Sequence, residues 1–388
     1  MTAVTDKIAI SGIGCVGAFG CGTQDYVAAL KRGYVDALPQ EKNHPDGTSF
    51  LPALLADTAH LTDYVPRRAL RRIDHYARMA LLGGYLALAD VGLSSDQCEK
   101  LGVIVASGYG ALTTTFNFLD SVLDDGDSCT SPTSFSNSVH NVAAAYLSMQ
   151  LQAFGPSLTV SQFELSVCSA LHTAVCWLEQ GRVDKVLIGG VDEYNPVVND
   201  YCRQRFSDHD VSIGNIDPFN FNSCSTIAGE GAAFLLLTKG DKWCGGESEQ
   251  ACHAPYAYVG ALSSGNFSRL DCKDYSPQVG QRGSDLMIIG ADGQCDSGNL
   301  YSQLQFDRPT LSCSPCYGAL PVGQAFDLVA AALMLREQSM FAVNRYQTGT
   351  NGNNVNFVPK IDTITSLKIA PTGQFGQIEL CAGVDRDA

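Results

Sequence analysis

The sequence has no uncharged apolar run of about 18 residues or more, so no membrane-crossing helix is expected. Its first residues lack a basic stretch followed by an apolar one, and a cytoplasmic location is expected. Positive charge is scarce: 25 Lys and Arg against 40 Asp and Glu give a net charge of −15. That balance argues against nucleic acid and against an anionic membrane surface as partners. Charged residues make up only 17% and apolar residues 45%, which indicates a compact chain; 388 residues suffice for one large core or two fused halves. Cysteine is plentiful at 15, but metal-ligand spacing is missing. The one CxxC, Cys313-Ser-Pro-Cys316, has no second pair and no nearby His, so no metal site and no cofactor are expected. The thiols read as free and buried, acting as small hydrophobes. Histidine is absent from the C-terminal part: His44, His60, His75, His140, His172, His209 and His253 are the full set.

The chain is organised around Phe154–Gly190, FGPSLTVSQFELSVCSALHTAVCWLEQGRVDKVLIGG. A Gly-Pro turn leads to a short β-branched run, Leu158 to Ser161. Glu164, Cys168, Leu171, Val175 and Leu178 then follow at spacings of four and three, which predicts a helix ending at Gly181. Lys185–Ile188 reads as a buried strand stopped by Gly189-Gly190. Apolar residues on most helix faces make the helix central and enclosed. Its start, at Gln162-Phe163-Glu164, is a prepared anion site, because free N–H groups and the helix dipole favour negative charge there.

This stretch resembles the nucleophile segment of β-ketoacyl synthases, the condensing enzymes of the thiolase fold. In them a Gly-Pro-Ser turn and a strand lead to a Cys at the start of a buried helix. Counting forward from Gly155-Pro156-Ser157 and back from Gly189-Gly190 places the nucleophile position on Glu164. The resemblance implies two catalytic histidines from the C-terminal half. The first falls in Gly290-Ala291-Asp292-Gly293-Gln294, as Asp292, and the second in Cys316-Tyr317-Gly318-Ala319, as Ala319. A thiolate at a helix start attacks thioesters well, and paired histidines stabilise the developing enolate. All three groups are replaced. The resemblance therefore narrows to the chain-length factor, the non-catalytic β subunit of type II polyketide ketosynthases, where the nucleophile position is typically Gln. Glu164 is expected to order its loop, pairing with a basic group, with the lowered pKa usual at a helix start.

What the resemblance implies for the rest is as follows. The fold is α/β, two similar halves in an αβαβα layering, 1–245 and 246–388, with the link at Gly240–Pro255. The partners are a catalytic ketosynthase α subunit and an acyl carrier protein bearing a phosphopantetheine-bound chain. Leu112, Thr113, Thr114 and Phe116, in the helical pattern of 108–124, would line the tunnel that sets chain length, wider near Thr114. The loop of 131–145, with Phe135, Asn137 and His140, would reach the partner. Phe375, in Gly373-Gln374-Phe375-Gly376-Gln377, resembles the gating loop. Arg67–Leu93 reads as a long helix whose Arg67, Arg68, Arg71 and Arg72 are either a solvated face or a docking patch for the acidic carrier.

Other readings are weighed on the residues. Gly12-Ile13-Gly14-Cys15-Val16-Gly17 matches GxGxxG after the strand Lys7–Ile10, and Asp36 lies near the spacing of a ribose-binding acid. Tyr34-Val35 is too short to be the strand that should carry it, so a glycine-rich tight loop is preferred. Residues 24–33 read as a helix and 36–64 as an irregular surface. Asp217–Lys239 resembles the loop and strand that carry Gly229-Glu230-Gly231. Tyr256–Leu262, Asp285–Ile289, Thr363–Ile369 and Gln377–Cys381 read as strands and Leu328–Arg336 as a helix. Two functional alternatives stand beside the chain-length factor: an active condensing enzyme with a shifted nucleophile, Cys168, and a non-catalytic scaffold homodimer that holds an acyl chain or a carrier protein.

Overall fold

The computed structural model describes residues 2–4, 7–44, 47–126, 128, 130–205, 216–240, 243–244, 252–267, 284–304, 306–341, 344–345 and 360–383. The expected boundary at 245/246 and much of the 240–255 link lie outside them.

Five strands build the first half: β1 (Ile8–Gly17), β2 (Gly102–Ala106), β3 (Ser157–Val160), β4 (Lys185–Asp192) and β5 (Gly231–Lys239). Five more build the second: β6 (Ala257–Asn266), β7 (Leu286–Ile289), β8 (Thr310–Ser312), β9 (Thr363–Ile369) and β10 (Gln374–Cys381). The first half is ordered β1-β5-β4-β2-β3 and the second β6-β10-β9-β7-β8. In each, the first two pairings are antiparallel and the last two parallel. The two halves therefore repeat one topology. They join where Ala257 and Tyr258 pair with Ile10 and Ala9.

Among the helices are α1 (Thr23–Arg32), α2 (His75–Ala89), α3 (Leu112–Asp125), α4 (Val142–Gln150), α5 (Ser166–Glu179), α6 (Cys295–Tyr301) and α7 (Gly323–Glu337). Helices α5 and α7 each touch strands of both halves. Every residue of α7 from Gly323 to Leu335 is buried, as its nearly all-apolar sequence requires. Helices α2 and α4 cover the outer face of the first half and α6 packs on β9 of the second, which gives five layers.

The glycine-rich run is not a loop. Strand β1 continues through Gly12, Gly14 and Gly17, and all ten of its residues are buried. A Cβ on Gly14 would come within 2.3 Å of the Gly83 carbonyl oxygen, and one on Gly12 within 2.4 Å of that of Ala87. The glycines let α2 press onto the strand, which leaves no phosphate cradle. Asp36 is exposed and pairs with Arg32 at 3.1 Å.

Two further expectations change. The region 36–64 contains a hairpin, Leu38–His44 with Gly47–Leu54. The long helix of 67–93 starts only at His75, where the Asp74 side chain caps it by accepting from Ala77 N at 2.8 Å. After β4 the chain enters a further helix, Pro196–Arg205.

Candidate functional site

At the carboxyl end of β3 the chain makes a short 3-10 turn, Phe163–Leu165, that runs into α5. Phe163 has φ 49°, a left-handed conformation that a bulky residue adopts only where its surroundings enforce it. Glu164 follows it and lines a cavity together with Tyr109, Leu112, Glu193, Gln294, Ala319 and Leu320. Two of the three degenerate positions, Glu164 and Ala319, thus face one space. Asp292 stands behind the wall, 3% exposed, and accepts from Gln294 N at 3.4 Å and Gln294 Nε2 at 3.3 Å.

A group that sequence reasoning missed completes the arrangement. Lys368, on β9 and 2% exposed, donates to Asp292 Oδ2 at 3.0 Å and to the Gly290 carbonyl at 2.8 Å. Burial alone would depress this ammonium, but Asp292, Glu164 and Asp327 outweigh it and hold its pKa above the usual value. The Glu164 carboxyl group departs from the expected direction. Burial raises its pKa, and the attraction of Lys368 and the donation of its own backbone N–H only partly offset that. Desolvation here outweighs the helix dipole.

The loop after β2 is fixed by a buried acid. Asp192 accepts from Ser107 Oγ at 2.8 Å, from Gly108 N at 3.0 Å and from Tyr109 N at 3.0 Å. Glu193 accepts from Thr113 N at 2.7 Å and so pins the first turn of α3. Glu230, buried in the intact Gly-Glu-Gly, accepts from Ala56 N at 3.0 Å, Tyr194 N at 2.9 Å and the His75 ring at 2.9 Å.

Burial raises the carboxyl of Asp192 to about 6, that of Glu193 to about 7 and that of Asp327 to about 7. An unfolded carboxyl titrates near pH 4, so the folded state holds these protons to higher pH. Their stability contribution is complete below about pH 4 and is lost as pH rises through the folded values, at about 1 kcal/mol per pH unit per group. Thermal unfolding followed between pH 5 and 8 is expected to show stability falling as pH rises through this window. Asp327→Asn, which removes one titrating group, should flatten the profile; an unchanged profile would show that Asp327 does not hold its proton.

The remaining predicted site residues divide. Leu112 lines the cavity, and Thr113 gives it no side chain of its own. The Thr114 hydroxyl donates to Asp74 at 3.3 Å, at the cap of α2, so a wider tunnel at Thr114 is not what its side chain serves. Phe116 is half-buried one turn along α3. Phe135 is exposed and meets Phe118 at a tilt, ring centroids 5.5 Å apart, while the His140 ring packs against Gly110. Asn137 is turned inward, donating to the Arg72 carbonyl at 2.7 Å and accepting from Tyr146 at 3.1 Å, so it braces its own chain. Phe375 lies inside β10, buried against Phe267 at 4.9 Å, and does not line the cavity as a gate would. Arg67, Arg68, Arg71 and Arg72 are all exposed, on a turn and a 3-10 segment rather than on a helix face.

Cys168 is one turn inside α5, buried, with its thiol donating to the Ser263 carbonyl at 3.6 Å. Burial pushes it up to about 11, the reverse of what a nucleophile needs, and it does not line the cavity. The shifted-nucleophile alternative has no geometry behind it. Among the described residues no group of three His, Cys, Asp or Glu side chains is placed to hold a metal, and no helix is long and apolar enough to cross a membrane.

A duplicated five-layer fold with a cavity at the start of its buried central helix defines a condensing-enzyme fold. Residues 5–242 match the β-ketoacyl synthase N-terminal domain, and the chain belongs to that family. It is similar to the tetracenomycin polyketide synthase ketoacyl synthase beta subunit of Streptomyces glaucescens, 23% identical over 60% of this chain and 58% of that protein. It is 27% identical to a putative polyketide beta-ketoacyl synthase of Streptomyces virginiae, over 60% and 57%. The chloroplastic 3-oxoacyl-[acyl-carrier-protein] synthase I of Hordeum vulgare is 23% identical, over 60% and 52%. The match thus spans between half and three fifths of these relatives. Among solved structures, the ishigamide ketosynthase/chain length factor superposes with a TM-score of 0.75 at 15% identity, covering 98% of this chain and 100% of that one. A type II polyketide synthase ketosynthase solved with its acyl-carrier protein and bound to the hexaketide gives 0.70 at 14%, covering 97% and 100%.

Proposed function

We propose that the chain is a catalytically silent chain-length factor, which pairs with a ketosynthase α subunit and completes the tunnel in which a growing polyketide is held. The observation that supports this most is chemical. Glu164 and Ala319 face one cavity in the places of a thiol and a histidine, and among the described residues no histidine lines that cavity. A carboxylate cannot form the acyl thioester, so condensation has no nucleophile at this position.

The surface supports a partner. Strand β3 ends the sheet with one edge unpaired among the described residues, and α3 has no buried residue. Leu123, Phe135 and Phe154 are 82%, 60% and 80% exposed. The exposed Arg67, Arg68, Arg71 and Arg72 suit an acidic acyl carrier protein or the phosphate of its arm.

The test is the native mass and composition of the tagged chain from its source cells. A one-to-one complex with a second condensing-enzyme-sized protein is expected. A homodimer would favour a scaffold that holds an acyl chain or carrier. In the complex, Leu112→Trp places an indole at the cavity wall and should shift the product towards shorter chains. Unchanged product length with intact complex would remove α3 from length control.

A further inference from the structure

Several buried acids near the cavity are spent on the chain itself. Asp192 is taken up by Ser107, Gly108 and Tyr109. Glu230 accepts from Ala56 N, Tyr194 N and the His75 ring. Asp292 has the Lys368 ammonium at 3.0 Å. Glu164 and Glu193 differ, and both line the cavity. Glu193 is only 5% exposed, and Thr113 N donates to its Oε1 at 2.7 Å; among the described residues its Oε2 has no donor. The Glu164 carboxyl group receives a hydrogen bond from its own backbone N–H and from no other described residue. No Lys, Arg or His among the described residues lines the cavity. Lys368, the cation whose charge acts on Glu164, gives its ammonium to Asp292 and the Gly290 carbonyl instead. Burial raises both carboxyl groups above their usual value, Glu193 to about 7, as expected of acids enclosed on a wall without a cation.

The rest of the wall decides which counter-charge fits. More of it is apolar than polar, with Leu112 and Leu320 among its members, and Tyr109 and Tyr194 add aromatic rings. A metal ion needs several converging ligands, and no group of three His, Cys, Asp or Glu among the described residues is placed to hold one. An ammonium suits two carboxylates with aromatic rings nearby, and an alkyl stem suits the apolar part. We propose that this cavity is a binding site for a primary alkylammonium group, with Glu164 and Glu193 supplying the counter-charge and the apolar wall receiving the stem. The amine is either free or the end of an acyl chain borne on a pantetheine arm, and the chemistry recognised is the same. The inference goes beyond the functional reading of the same cavity: it needs no partner subunit and no control of chain length.

Calorimetric titration of the full chain, or of the complex in which it is isolated, tests this. Hexylammonium chloride should bind saturably, about tenfold or more tighter than hexanol or sodium hexanoate. Glu164→Gln and Glu193→Gln should each weaken it by about tenfold or more, and the double variant should lose it. Glutamine keeps an acceptor for Thr113 N, and an unchanged melting temperature checks the fold. If a variant fails to fold, the comparison of hexylammonium with hexanol in wild type decides. Aminocaproyl-pantetheine separates the two sources. Binding tighter than both hexylammonium and hexanoyl-pantetheine assigns the ammonium to a carrier-borne chain; otherwise the ligand is a free amine. Hexanol bound as tightly as hexylammonium would overturn the proposal and give the cavity to neutral chains. Absence of saturable hexylammonium binding, or binding unchanged in both glutamine variants, would overturn it too. Failure here leaves one-to-one pairing with a ketosynthase untouched, and a chain that binds the ammonium but forms no such pair would sink the functional reading alone.

Discussion

Lys368→Met is expected to destabilise the folded chain by about 3–5 kcal/mol, because it leaves Asp292 as an uncompensated buried charge. Methionine matches the length of the lysine stem, so the loss is electrostatic and not a cavity effect. Asp292 has two other donors, the Gln294 backbone and side-chain amides at 3.4 and 3.3 Å, which are long and neutral. They do not replace an ammonium at 3.0 Å. The double variant Lys368→Met, Asp292→Leu should recover most of the loss, since replacing a whole buried pair by packed apolar residues is often neutral or stabilising. Denaturant unfolding of the two singles and the double closes the cycle. A Lys368→Met loss below about 1 kcal/mol would mean that solvent reaches the pair.

How much of this could be read beforehand depended on where the information lay along the chain. The segment from Gly155 to Gly190 was legible because its strand, turn and helix are contiguous and the helix is apolar on most faces. Glu164 and Ala319 followed from counting along short motifs, and the cavity brings them together. Lys368 was hidden. It is one charge in the buried strand Thr363–Ile369, 76 residues from Asp292, and only the parallel pairing of β7 with β9 brings the two near. A lone lysine inside a buried β pattern was the available signal, since such a residue persists only when paired. The glycines of β1 misled for a related reason. A close helix and a tight turn both demand glycine, and only the position of α2 distinguishes them. Thr114 looked like a tunnel residue and Asn137 like one for a partner, but each makes a hydrogen bond inside its own chain.

Leu123→Asp is expected to abolish pairing with the proposed ketosynthase partner while leaving the isolated chain as stable as wild type. Leu123 lies in the last turns of α3, 82% exposed, so an aspartate there meets water in the single chain and should shift its stability by less than about 0.5 kcal/mol. Leu119, one turn earlier on the same stripe, is also exposed, and Phe118 packs at a tilt against Phe135 of the neighbouring segment. An apolar stripe of this kind gains its stabilisation only when a partner covers it. Burying an unpaired carboxylate in that contact costs several kcal/mol, which corresponds to weakening on the order of 100-fold or more. Co-purification with the partner followed by native mass spectrometry reads the loss, and the melting temperature of the chain alone reads the control. If pairing survives Leu123→Asp at wild-type strength, the partner does not cover α3, and the tunnel reading of Leu112 and Phe116 falls with it. If both pairing and the isolated fold are lost, α3 is held by its own chain more tightly than its exposed side chains imply.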